Sequence, residues 1–241
     1  MKRTILNLGF ALGFMLGLSA DGFAQMSDYD LLSDLPEGWE KVWIERKLGV
    51  AKPTKYEVKV ENDTNQVLKA TSIESASALW RMLDIRPGSV GKISWRWKVE
   101  RTLSDKTREK TKEGEDYAAR VIVVFEPHLV SWKTRAICYV WAAKQQVGSI
   151  YRSPYASSVG VIVLQSGKDK RGEWIAEERN FVADYHKVFG RQPELVTAVA
   201  LMVDTDNTHQ DAVAFFDDIK LSISDPVVDA ERVKRRMRFQ N

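Results

Sequence analysis

Apolar residues recur along this chain with a period of two, in short runs separated by turn chemistry, and that pattern predicts strands rather than helices. The cleanest run is 92–99, where Ile93, Trp95, Trp97 and Val99 alternate with Ser94, Arg96 and Lys98, so one face must be buried and the other solvated. Similar runs predict strands over 40–45, 55–61, 66–72 and 76–84, with Asn62-Asp63-Thr64-Asn65 giving hairpin composition between the second and third. The segments 117–126, 134–143 and 159–166 are almost continuously apolar and predict strands covered on both faces. A closing pair over 194–204 and 212–224 brings the core to roughly ten strands.

Two stretches depart from this pattern. Phe181, Tyr185, Val188 and Phe189 fall at helical spacing before Gly190 and Pro193, which predicts one short amphipathic helix within 179–191. The charged stretch 100–115 has no apolar periodicity and predicts a solvated loop or lid. Many short strands, one helix and no strand–helix–strand alternation together imply a mainly all-β chain folded as a sandwich of two antiparallel sheets.

The ends carry different signals. Lys2 and Arg3 precede a charge-free apolar run from Ile5 to Leu18 and then Gly22-Phe23-Ala24, the layout of a secretory signal peptide cleaved after Ala24. The run is shorter than the roughly 20 residues that span a bilayer, so no transmembrane anchor is expected after cleavage. No cysteine stands directly after it to carry a lipid, and the expected location is periplasmic or secreted. The organisation is then a signal peptide over 1–24, an N-terminal arm over 25–38 read as a loop or short helix, a sandwich domain over 39–225, and a basic tail over 226–241 read as an exposed helix.

Charge narrows the partners. The formal net charge is +3, and loss of Lys2, Arg3 and Asp21 with the signal leaves +2, which the five basic and three acidic residues from Asp225 onward account for. The globular part is near neutral, so nucleic acid is not an expected partner. The single cysteine, Cys138, lies in the apolar segment 136–140, where it reads as a small buried side chain, and no internal disulfide can form.

The densest polar cluster is Thr205-Asp206-Asn207-Thr208-His209-Gln210-Asp211, between two apolar strands of which the second carries Asp217 and Asp218. Carboxylate and amide oxygens at a sheet rim suit calcium or sugar hydroxyls. Asp204, Asp206 and Thr208 alternate like the opening of an EF-hand, but His209 stands at the glycine position and Phe215 at the terminal glutamate, so this is not an EF-hand. A metal or ligand site built on Asp204, Asp206 and distant residues, and an Asx-rich hairpin turn that caps its own backbone, both remain open. In a regular strand Asp217 and Asp218 point opposite ways, so the inward one needs an arginine or a metal.

A second acidic cluster, Glu113 to Asp116, directly precedes a buried strand that contains Arg120. That guanidinium needs a carboxylate, with Asp116, Asp217 and Glu178 as candidates, and Asp204, Asp206 and Asp217 are expected to meet the 115–120 segment across the sandwich. Trp95, Trp97, Trp132, Trp141, Trp174, Tyr139, Tyr151 and Tyr155 could supply a sugar-stacking platform, with Tyr151 and Tyr155 the expected exposed pair. For catalysis, Glu115 with Glu178 is a conceivable hydrolase pair, and His128, Tyr139 and Arg120 a conceivable lyase set. The three histidines lack zinc-ligand spacing, and no phosphate loop or serine elbow is present.

Several motifs carry a family resemblance. Ser94-Trp95-Arg96-Trp97, Gly114-Glu115-Asp116-Tyr117-Ala118-Ala119-Arg120-Val121, Tyr139-Val140-Trp141, Gln165-Ser166-Gly167, Glu178-Arg179-Asn180, Asp184-Tyr185, Phe189-Gly190 and Met202-Val203-Asp204-Thr205-Asp206-Asn207-Thr208, in that order, resemble the bacterial domain-of-unknown-function 3047 family. The resemblance covers nearly all of the chain after the signal. It implies an exported sandwich of jelly-roll type, akin to galactose-binding and carbohydrate-binding modules, with the ending Phe216-Asp217-Asp218-Ile219 similar to their last strand; it implies no activity. With the residues above, the candidate ligand contacts are Glu115, Asp116, Arg120, Trp141, Tyr151, Tyr155, Glu178, Arg179, Asp204, Asp206, Asn207 and Asp217. The reading is a non-catalytic binder of carbohydrate or another polar envelope component, with a polysaccharide lyase or hydrolase and a purely structural envelope protein as alternatives.

Overall fold

The computed structural model describes residues 26–32, 35, 38–62, 64–125, 134–224 and 227–228. Among these residues fourteen strands form two sheets, with one α-helix, α1 (Phe181–Phe189), and short 3-10 turns at Trp39–Lys41 and Lys112–Gly114. One sheet runs β11 (Ile175–Asn180), β6 (Gly91–Arg101), β13 (Asp211–Ser224), β4 (Asn65–Ile73), β3 (Lys55–Glu61), and β1 (Met26–Leu32) also pairs with β13. The other runs β14 (Val227–Val228), β5 (Ala76–Arg86), β12 (Val196–Asp204), β7 (Ala119–Phe125), β8 (Arg135–Ala142), β10 (Val159–Ser166), β9 (Ile150–Arg152), and β2 (Trp43–Lys47) also pairs with β5. Among the described residues no helix is long and apolar enough to cross a membrane.

Alternation builds the core. Ile93, Trp95, Trp97 and Val99 of β6 are all buried, as the period-2 pattern requires. They face Tyr139 and Trp141 of the opposite sheet, with Trp95 and Tyr139 ring centroids 5.3 Å apart and Trp97 and Trp141 6.0 Å apart. The helix forms where its spacing predicts. Asn180 accepts a hydrogen bond from the Ala183 N–H at 3.0 Å, and Gly190, at φ 72°, closes the other end in the left-handed conformation that glycine tolerates best.

Several expectations are corrected. The N-terminal arm, read as a loop or short helix, begins with strand β1, antiparallel to the second half of β13 from Met26 opposite Ser224 to Leu32 opposite Ile219. Its anchors are the buried Leu31 and Leu32, at the end of a stretch too acidic to look like a strand. The strand expected from residue 40 starts at Trp43, because Trp39–Lys41 is a 3-10 turn. The sandwich is not wholly antiparallel, since β8 and β10 pair in parallel. The presumed closing hairpin is no hairpin: β12 lies in the eight-stranded sheet and β13 in the six-stranded one, so the acidic turn crosses between layers. Val227 and Val228 of the presumed helical tail pair as a strand with Arg86 and Ile85. The expected signal peptide, residues 229–241, His128 and Trp132 lie outside the described residues.

Candidate functional site

The eight-stranded sheet is apolar on both faces, which is what the near-continuous apolar runs of β7, β8 and β12 encode. Val121, Val123, Ile137, Tyr139, Val199 and Leu201 point into the core between the sheets. Their neighbours point outward, and strand register aligns them in rows: Ala78, Met202, Arg120 and Val140; then Trp80, Ala200, Ile122 and Cys138; then Met82, Ala198, Val124 and Ala136. A groove of about 650 Å³ lies on this floor. Trp80, Ile122, Val124, Ala136 and Met202 line its base, Leu48 and Val159 its sides, and Glu115, Arg120, Asp204, Asp206, Asn207 and Tyr155 one end.

At the polar end the first row meets the acidic turn. Arg120 is the second residue of β7, and the Asp204 carboxylate at the end of the neighbouring β12 accepts from its Nε at 2.8 Å and from its Nη2. The same Nη2 donates to the Glu115 carbonyl at 2.8 Å, and Nη1 lies 3.6 Å from the Glu115 carboxylate. The guanidinium also sits 4.4 Å from the Tyr117 ring centroid. Asp116 pins the acidic turn. Its carboxylate accepts from the Thr208 N–H at 2.7 Å, the Thr208 hydroxyl at 2.6 Å and the Asn207 amide at 3.0 Å. Gly114 permits the tight loop before it, since a Cβ there would lie 2.6 Å from the Arg108 carbonyl oxygen. Tyr155 covers the end, its one hydroxyl proton shared between Asn207 Oδ1 at 2.5 Å and the Lys112 carbonyl at 2.9 Å.

Burial and crowded like charge set the electrostatics. Burial, reinforced by Asp116 and Glu115, pushes the Asp204 carboxyl up to about 7 against the pull of Arg120. Burial and then Asp116 raise Asp206 as well. Arg120 goes the other way: burial opposes its charge, but Asp204 and Glu115 outweigh that and hold it protonated. Burial pushes the floor thiol of Cys138 up to about 12, so it is an inert part of the lining.

The structure brings together Glu115, Asp116, Arg120, Asp204, Asp206, Asn207 and Tyr155. Tyr151 lies behind them, half-buried, its hydroxyl 2.8 Å from that of Tyr117, so it is not the exposed partner of Tyr155. Asp217 does not join them. It is buried in the other sheet, where Arg96 Nε and Asn65 donate to it at 3.0 and 2.9 Å. A bulge with Asp218 at φ 51° lets both aspartates reach Arg96, instead of pointing to opposite faces as in a regular strand. Glu178 is surface-exposed and paired with Lys92 at 2.9 Å, so Glu115 and Glu178 do not form a carboxylate pair. Arg179 binds Asp184 of α1, as does Tyr139, which faces the core while Arg120 faces the groove, so these two lyase candidates do not converge. Trp141 is fully buried, its indole donating to the Gly167 carbonyl.

One oxygen or more of Asp116, Asp204 and Asp206 lie within 4.8 Å of one another, a spacing a hard cation could span. The donor set fits a cation poorly, because Arg120 already neutralises Asp204 and Thr208 with Asn207 occupies Asp116. The groove floor itself, above all Trp80, Ile122 and Met202, was not singled out among the sequence candidates. Its signal was the apolar residue at nearly every outward position, Arg120 and Asp204 excepted, of strands whose inward positions were already apolar.

Comparison with known proteins adds a family and a set of distant structures. A family model described as "Protein of unknown function (DUF3047)" matches residues 37–220. No curated protein matches the sequence. Among solved structures, a family 30 carbohydrate binding module is 12% identical with a TM-score of 0.48, over 87% of this chain and 94% of that one. Cellulose induced protein Cip1 is 9% identical with a TM-score of 0.43, over 78% and 95%. A winged bean acidic lectin complexed with methyl-α-D-galactose is 9% identical with a TM-score of 0.37, over 83% and 99%.

Proposed function

The chain belongs to the DUF3047 family, whose description supplies no activity, so we propose a function from the groove itself: reversible, non-catalytic binding of a hydroxyl-rich ligand, a carbohydrate or another polar envelope component, by an exported sandwich of jelly-roll type. The observation that carries this is the groove of about 650 Å³, in the range of small-ligand sites, with an apolar floor and its charged groups gathered at one end. Apolar surface accepts the C–H face of a sugar ring, and the Asp206, Glu115 and Asn207 oxygens accept from its hydroxyls. Asp204 and Asp116 have both carboxylate oxygens engaged, which suits a rigid binding wall better than a nucleophile.

Titration calorimetry of the mature chain against neutral oligosaccharides tests this. Binding is expected, with Asp206→Ala and Tyr155→Ala weakening it at least about tenfold while the melting temperature holds, a loss of the size of one or two polar contacts. No heat with any sugar, or undiminished binding in both variants, overturns the reading. Calcium is a second arm: if the acidic end takes a cation in place of Arg120, calcium raises the melting temperature of the wild type and not of Asp206→Ala. Export is checked by the N-terminus of the protein recovered outside the cytoplasm, expected at Gln25.

A further inference from the structure

Taking the groove as the ligand site proposed above, we infer that its ligand is an amphiphile: a hydrocarbon body on the floor and a head group of hydroxyls or an ammonium, not an anion, at the acidic end. A bare sugar chain can lay only its C–H faces on this floor. Its hydroxyls ring every residue, and a hydroxyl taken from water needs a partner. The floor offers Ile122, Val124, Ala136, Val159 and Met202, which are aliphatic, and Trp80. Leu48, 41% exposed, extends this apolar surface to the rim. Hydrocarbon is the ligand chemistry that gains along this length.

The polar end selects the head group by charge. Arg120 supplies the guanidinium there, and its nitrogens are directed at Asp204 and Glu115. What remains facing the groove is acceptor-rich, with Glu115, Asp204 and Asp206 lining it and Asp116 behind them. Three lining carboxylates against one engaged arginine attract donors and repel a phosphate, sulfate or uronate.

The test uses single-chain amphiphiles below their micelle concentrations, titrated into the mature protein: octyl glucoside, butyl glucoside, free glucose, octylammonium and octyl sulfate. Each buried methylene is worth about fourfold in affinity, so octyl glucoside is expected to bind at least about tenfold tighter than butyl glucoside. Octylammonium should bind at least about tenfold tighter than octyl sulfate. Ile122→Asn should weaken octyl glucoside at least about tenfold, and Met202→Gln serves if that variant fails to fold. Equal affinities for octyl sulfate and octylammonium overturn the inference, as does undiminished binding in a folded floor variant. If glucose or free oligosaccharides bind as tightly as octyl glucoside, the amphiphile inference falls while sugar binding stands. If no sugar, glycoside or amine binds, both fall.

Discussion

The two outer faces of the sandwich, one carried by alternating strands and the other by near-continuously apolar ones, end in opposite states. On the six-stranded sheet the outward residues are Arg96, Lys98, Lys69, Phe215 and Asp217, and they satisfy one another: Arg96 holds Asp217, Lys98 reaches Glu61 at 2.8 Å, and Trp174 donates to Glu61 at 3.0 Å. Arg96 and Lys98 also lie over the Trp174 ring at 4.5 and 5.0 Å. On the eight-stranded sheet the outward residues that floor the groove are apolar, Arg46 of β2 stacks on Trp80 at 4.5 Å, and carboxylates line only the Arg120 end. A closed ladder of cations, rings and carboxylates leaves nothing for a ligand to complete, whereas an apolar floor with acceptors at one end does. Outward polarity marks the inert face here and outward apolarity the candidate site.

The contrast is broken most forcefully at its two arginines. Arg120→Met leaves Asp204 and Glu115 buried without a cation and should cost about 3–5 kcal/mol of stability at neutral pH. The cost should shrink as pH falls, because the Asp204 carboxyl, already raised by burial, can take up a proton instead. Arg96→Met should cost about 1–3 kcal/mol, since Asp217 keeps the hydrogen bonds from Asn65 and the Asp218 N–H. Urea unfolding of both variants at two pH values measures this. Equal losses, or an Arg120→Met loss that does not vary with pH, would show that the two ion pairs sit in equivalent environments.

Asp204 sharpens the same difference through pH. Its folded value of about 7 lies above the ordinary carboxylate value of 3.8 that applies in the unfolded chain. Between those values the native state holds a proton that the unfolded state has released, so this group's contribution favours folding at low pH and fades as pH rises from about 4 to about 7. Asp204→Asn should flatten that part of the stability profile, with the same denaturation series run from acid to neutral pH as the measurement. An unchanged slope in the variant would mean that Asp204 stays ionised throughout.

The sandwich was legible because alternation is a local property: 55–61 and 159–166 become strands with the bounds their pattern gives, and 181–189 becomes the helix. What local pattern cannot carry is which strand pairs with which, and the errors fall there. The acidic turn looks like a hairpin from its own residues, yet it crosses between sheets because β12 and β13 each find partners far away in sequence. Asp217 is misplaced for the same reason, since a bulge at Asp218 resets the alternation on which its expected direction rested. The strand β11 was missed because Ile175–Asn180 is an edge strand, charged and only half-buried. The Glu115-to-Arg120 segment and the Asp204-to-Asn207 turn do meet, but on neighbouring strands of one sheet rather than across the sandwich, and Arg120 takes Asp204 and Glu115 in place of the expected Asp116, Asp217 or Glu178.

The smallest expected effect lies on the closed face. Trp174 packs edge-on to Phe215 at 6.4 Å and beneath Arg96 and Lys98, so Trp174→Ala removes two cation–π contacts and a hydrogen bond from a half-exposed position. Such contacts are worth about 0.5–1 kcal/mol each where water reaches them, and the whole substitution should cost about 1–2 kcal/mol. Glu61 keeps Lys98, so no buried charge is stranded. Because Trp174 lies on the outer face of the opposite sheet, the variant should bind groove ligands with unchanged affinity, read by calorimetry beside its melting temperature. A loss of binding larger than the loss of stability explains would place the ligand on the aromatic face and reverse the assignment of the two faces.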